Sequence, residues 1–185
     1  MSALAAVLAL ALGVNLDLDV HAAYGAGARP AVGGTVSLTA GTELWTMKVA
    51  EGALEFGLLA GYQVEPYDIL WLPGADVSGA NHRMELWFLI GHGLRLLESR
   101  RLIIGIHVFG GWTHYWLRAR LVNEALALDR PYIANAGRLT TGLSASLGVR
   151  LTEKVSVTAR LLAPFPYAME VNSYVIPTLG VSIRL

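Results

Sequence analysis

His82, His114, Asp76, Ser78 and Asp129 are the side chains whose types could run acyl transfer or hydrolysis. That chemistry needs a nucleophile, a base and an orienting carboxylate within hydrogen-bond reach of one another. No spacing among the five positions one on another, and a histidine without a positioned partner reads as a network or interfacial residue. No His, Asp and Glu cluster has the spacing of metal ligands. Gly25 and Gly27 are followed by Pro30 and not by a helix, so no phosphate-cradling loop is expected. Cysteine is absent, which removes disulfides and thiolate chemistry and leaves the compartment open. With 14 basic and 14 acidic residues the formal charge is zero, so there is no electrostatic basis for binding nucleic acid. The residues favour no enzyme and no cofactor.

A second set of charges recurs at alternate positions: Asp17, Asp19, Glu55, Arg83, Glu85, His107, Arg138, Arg150, Arg160 and Arg184. Their chemistry is ion pairing, and the elements that carry them explain their parity. In the stretch 138–151 the odd positions are Leu139, Thr141, Leu143, Ala145, Leu147, Val149 and Leu151. The even positions are Arg138, Thr140, Gly142, Ser144, Ser146, Gly148 and Arg150. Strand side chains alternate between faces, whereas a helical period would scatter these residues. One face is apolar and the other small and polar, over a length that crosses a bilayer at a tilt.

The rest of the 185 residues agrees. Hydrophobic content is 54% and charged content only 15%, too little charge for a soluble surface. No run of roughly 18 apolar residues follows the N-terminus, so helical spans are not expected. Strands are predicted at about 12–24, 34–47, 53–64, 83–97, 102–116, 138–151, 155–163 and 174–185. The phase slips near Leu44 and Trp45, which predicts a bulge. Residues 1–11 form a possible signal-like segment, with Ala9 and Ala11 offering a small-x-small cleavage site, and 12–185 form one domain. Long connections are predicted at 65–82 and 117–137. Leu121, Val122, Ala125 and Leu128 have the spacing of a short amphipathic helix.

Connections alternate short and long, as in a closed antiparallel up-and-down transmembrane barrel of about eight strands. Tyr24, Tyr62, Trp112, Trp116, Tyr167 and Tyr174 all fall at the long-connection ends, where an aromatic girdle belongs. A soluble barrel with its apolar face inside would alternate in the same way. Its polar face would be rich in Lys and Glu, but here that face is Gly, Ser, Thr and Ala with scattered Arg. The apolar face is therefore expected to meet lipid.

With these residues in hand the chain resembles the small outer-membrane β-barrel class of the OmpA transmembrane domain, OmpX and OmpW. Thr178, Gly180, Ile183 and Leu185 resemble the C-terminal signal read by the barrel-assembly machinery, with Leu185 where an aromatic is common. The resemblance implies a bacterial outer-membrane location and a bilayer containing lipopolysaccharide. It also implies a non-enzymatic anchor, or a surface-interaction protein acting through its long loops. Some barrels of the class modify outer-leaflet lipids, but no spacing here resembles the His-x-Ser motif of the deacylases. A narrow pore or a channel for hydrophobic molecules is the other alternative. The inward charges are expected in stacked tiers that plug the lumen: Glu55, Arg150 and Arg184 at the inner end, Asp17, Asp19, His107 and Arg160 in the middle, and Arg83, Glu85 and Arg138 at the outer end.

Overall fold

The computed structural model describes residues 13–24, 30–72, 75–96, 99, 101–165 and 175–184. The signal-like segment, Tyr167, Tyr174 and Leu185 lie outside them. The described residues form β1 (Gly13–Tyr24), β2 (Pro30–Thr46), β3 (Ala50–Leu72), β4 (Ala75–Leu96), β5 (Leu102–Asn123), β6 (Leu128–Arg150), β7 (Val155–Pro164) and β8 (Ile176–Arg184). Each strand pairs antiparallel with its neighbour in sequence, and β1 pairs with β8 from Asn15↔Arg184 to His21↔Thr178. The sheet is a closed eight-stranded barrel, so neither outermost strand is left as an open edge along the wall.

The bulge falls where the pattern slips. Register between β2 and β3 shifts between Glu43 and Trp45, and Trp45 then opposes Gly52. A Cβ on Gly52 would collide with the Trp45 indole, so glycine is needed under that ring.

Two expectations are corrected. The described residues at 65–82 and 117–137 stay in the sheet, apart from the turn at 124–127. The β3–β4 ladder continues from Glu65↔Asn81 to Leu72↔Ala75, and the β5–β6 ladder from Leu117↔Ala134 to Asn123↔Leu128. The expected amphipathic helix is a single 3₁₀ turn, Glu124–Leu126. Asn123 caps it by accepting from the Leu126 N–H at 3.1 Å, and Ala127 closes it at a φ of 49°. Cross-strand pairing on both sides of the turn outweighs the weak helical spacing of so short a segment.

These extensions make the barrel lopsided. β2 follows β3 only as far as Val32↔Val64, and β7 follows β6 only as far as Gly142↔Pro164. Beyond those pairs β3, β4, β5 and β6 continue as a four-stranded sheet above the wall. This is the hairpin end; the opposite rim, with the connections β2–β3, β4–β5 and β6–β7, is the turn end.

Candidate functional site: the filled lumen and the outward face

The strands project the odd residues of β2 to β5 and the even residues of β6 to β8 inward. Thr35, Ser37, Gln63, Arg83, Glu85, His107, Thr113, Thr140, Ser144, Arg160 and Thr178 are all buried. Their packing falls into three layers.

Nearest the hairpin end, Arg83 Nε lies 2.5 Å from Glu85 Oε1, with side-chain exposures of 6% and 1%. Arg138 Nη2 donates to the Tyr115 hydroxyl at 2.7 Å, and its guanidinium sits 4.9 Å from the Tyr115 ring centroid. The middle layer is apolar: Leu59, Trp87, Leu89, Phe109, Leu162 and Ile176 form one buried cluster. Trp87 and Phe109 stack with centroids 4.4 Å apart and planes 15° apart. Trp87 Nε1 donates to Thr113 Oγ1 at 3.1 Å, so the indole fills the lumen without stranding its N–H. Gly142 makes room, because a Cβ there would strike the Phe109 ring.

Towards the turn end, His107 Nε2 lies 2.9 Å from Glu55 Oε2. Arg160 Nη1 donates to Ser37 Oγ at 3.2 Å, and Arg95 pairs with Glu51. A cavity of about 70 Å³ remains here, lined in part by Glu55, Arg95, His107, Arg150, Arg160 and Arg184.

The predicted charges are thus distributed differently from three polar tiers. Glu55 and His107, expected in separate tiers, are partners. Asp17 pairs in register with Ser37 and Ser182, and Asp19 with Thr35 and Gly180. The apolar layer was not anticipated, although the parity of Trp87, Leu89 and Phe109 signals it. The Glu51–Arg95 pair was missed because Glu51 reads as part of a turn. Thr178 is buried and Gly180 and Ile183 are half-buried on β8.

The groups that could do chemistry are not assembled for it. His82 Nδ1 is 2.7 Å from the Tyr62 hydroxyl, and the imidazole stacks on Trp116 at 5.4 Å and 5°. His114 and Ser78 line an outward groove of about 830 Å³ whose lining contains no carboxylate. Asp129 is held by Arg120 in a two-pronged contact of 2.7 and 2.5 Å. That hydrogen bond keeps the exposed Asp129 carboxyl below its ordinary range and raises Arg120. Among the described residues no three His, Asp or Glu side chains gather as metal ligands.

The outward face decides what surrounds the wall. Val36, Leu38, Phe56, Leu58, Leu86, Phe88, Ile90, Ile106, Val108, Leu143, Leu147 and Leu179 are all exposed. The row from Leu102 to Trp112 spans roughly 34 Å of strand, or roughly 26 Å of height at a tilt of about 40°. This matches the apolar band of a barrel in lipid, and water would not tolerate so large a continuous apolar surface. Tyr62 and Trp112 lie at its hairpin-end edge, exposed to 44% and 49%, with Trp116 two residues beyond Trp112. The molecule is a transmembrane β-barrel of the outer-membrane type.

No family model matches the chain, and no curated protein matches it in sequence. Among solved structures it is similar to Ail, the attachment invasion locus protein of Yersinia pestis. Identity there is 8%, the match covers 94% of this chain and 97% of that one, and the TM-score is 0.45. It is similar to the N-terminal β-barrel domain of Pseudomonas aeruginosa OprF at 13% identity, covering 92% and 97%, with a TM-score of 0.44. Similarity to the outer membrane protease OmpT of Escherichia coli is at 8% identity over 94% and 97%, with a TM-score of 0.49.

Proposed function

We propose that this barrel is a non-enzymatic anchor in the bacterial outer membrane that holds a four-stranded sheet outside the cell for contact with a surface partner. The observation that carries the reading is the unequal height of the strands. β3 to β6 rise past the ends of β2 and β7, so along 128–140 no described strand pairs with β6 on the side that β7 does not reach. A sheet with such an edge is suited to receiving an extended segment of another protein. A bilayer containing lipopolysaccharide and assembly through the C-terminal strand, with Thr178, Gly180 and Ile183, belong to the same reading.

The lumen supports an anchor over a channel. Trp87, Leu59, Leu162 and Ile176 are each 0% exposed, and an apolar layer of this kind across a narrow lumen opposes the passage of ions. For an enzyme, His82, His114 and Asp129 would need a shared nucleophile, and their contacts are to aromatic rings and an arginine.

The chain has no cysteine, so single-cysteine labelling tests the arrangement directly. Glu124→Cys at the hairpin end should react with a membrane-impermeant maleimide on intact cells. Val49→Cys at the turn end should react only after the outer membrane is opened. Equal labelling of both on intact cells would refute the orientation.

A further inference from the structure

Above the apolar band the outward face of β3, β4 and β5 carries a row of rings. The Tyr62 hydroxyl lies 2.7 Å from His82 Nδ1, and the His82 imidazole stacks on the Trp116 indole at 5.4 Å and 5°. The Tyr62 and His114 rings approach the same indole at 6.0 and 5.8 Å. Trp116 is the second outward residue past Trp112, roughly 14 Å along the strand and roughly 10 Å higher at a tilt of about 40°. Polar headgroups reach only about 5–8 Å beyond the hydrocarbon. The indole therefore stands at the outer limit of the bilayer, with Arg118 further out in water. A lipid-facing girdle does not account for a ring held at that height by three others.

Trp116 lies in register between His82 on β4 and Asn135 on β6. His82 takes one face of the indole, and a groove of about 830 Å³ meets it from the β6 side, lined by Ser78, His114, Arg118, Ile133 and Asn135 among others. That size is within the roughly 300–1,000 Å³ of small-ligand sites. Ser78, Arg118 and Asn135 are exposed. The hydroxyl and the amide each donate and accept, and the guanidinium donates. Acidic residues share this face with the basic ones: Asp129 is held by Arg120, and Asp68 is the register partner of Ser78. A flat apolar ring beside mixed donors and acceptors, with charges of both signs, fits a ligand with a C–H face and a rim of hydroxyls. That is a pyranose. An acyl chain would leave the polar rim unused, and a bare anion would leave the indole unused.

We propose that this groove binds a neutral hexopyranose unit of a glycan carried by the leaflet around the barrel. The C–H face of the sugar lies on Trp116, and its hydroxyls meet Asn135, Ser78 and Arg118. Height points to that source, because a sugar joined to a headgroup stands directly above it, level with Trp116 and Arg118. The site rests on the reading of the hairpin end as the outer, partner-facing end. It names a class of partner for that end and places the contact on the face of the sheet, not at its edge.

The test uses the full chain folded in lauryldimethylamine oxide micelles, whose headgroup is no sugar. Heat-modifiable gel mobility is the prior check that the barrel has formed. Titration calorimetry follows the oligosaccharide that mild acid splits from lipopolysaccharide, before and after removal of its phosphates. Both forms should saturate alike, below about 10 mM. Trp116→Ala should weaken binding about ten-fold and Asn135→Ala about three-fold, while Trp116→Phe should keep most of it. Arg130→Ala, on the opposite face of the same hairpin, should leave the curve unmoved. The proposal is overturned if neither form saturates by about 10 mM, if phosphate removal abolishes binding, or if either alanine variant at Trp116 or Asn135 binds as the parent does. Those results, with Glu124→Cys still labelled on intact cells, remove the sugar site alone. Loss of that labelling removes the outward orientation, whatever the titration shows.

Discussion

The barrel wall and the sheet that rises from it are made of the same strands, yet they are built by different rules. Within the wall, Phe88 and Ile106 face out at 67% and 61% exposure while their neighbours Trp87 and His107 are buried at 0% and 6%. Past the rim, Ala134, Asn135 and Ala136 are all exposed, on both faces of β6. The wall separates two media and the projecting sheet sits in one. Alternation is enforced where a one-residue slip would put arginine into hydrocarbon, and it relaxes where either face meets water.

The largest expected difference between the two regions lies in the lumen. Trp87→Ala should open the apolar layer and destabilise the barrel by about 3–5 kcal/mol. Arg160→Ala, which removes a buried guanidinium hydrogen-bonded to Ser37, should cost about 1.5–3 kcal/mol. Reversible unfolding in detergent measures both, and an unchanged midpoint for either would mean the lumen is not packed as described. Next comes the lipid face: Ile106→Arg should destabilise by about 2–4 kcal/mol near the midplane, whereas Ile133→Arg on the projecting sheet should stay within about 0.5 kcal/mol. Equal effects would erase the distinction between the regions.

The smallest effect is confined to the hairpin end and depends on pH. Asp129 has a lowered pKa because Arg120 hydrogen-bonds its carboxylate. The contribution of this pair is therefore fully present above the ordinary carboxylate range and is lost as pH falls through the lower pKa of the folded state. Amide exchange around Val122 and Asp129 should accelerate on acidification, while amides at Phe109 and Leu143 in the wall stay protected. Acceleration throughout would show that the projecting sheet does not open independently.

The legibility of the chain follows the same divide. The stretch 138–151 and its counterparts can be read because their neighbours in space are lipid on one side and a narrow lumen on the other. The slip at Leu44 marks the bulge that sets Trp45 over Gly52, since a bulge restores parity to the following residues. The strands through 65–72 and 117–123 read as loops because Pro66, Pro73 and Gly74 look like turn residues and no face is consistently apolar. The tiers of charge were legible as inward residues but not as pairs. Parity places Glu55 and His107 on one side of the wall, and only the stagger of the strands decides that they meet.

The sequence by itself determined the two-faced strands, their number and the absence of a charged outer surface, because each follows from local alternation and composition. Only the tertiary structure decided that β1 closes on β8, that Trp87 and Phe109 stack between the neighbouring strands β4 and β5, and that His107 reaches Glu55. Those contacts join residues far apart in the chain. They depend on register, which no local pattern carries, and on closure, which fixes every register at once.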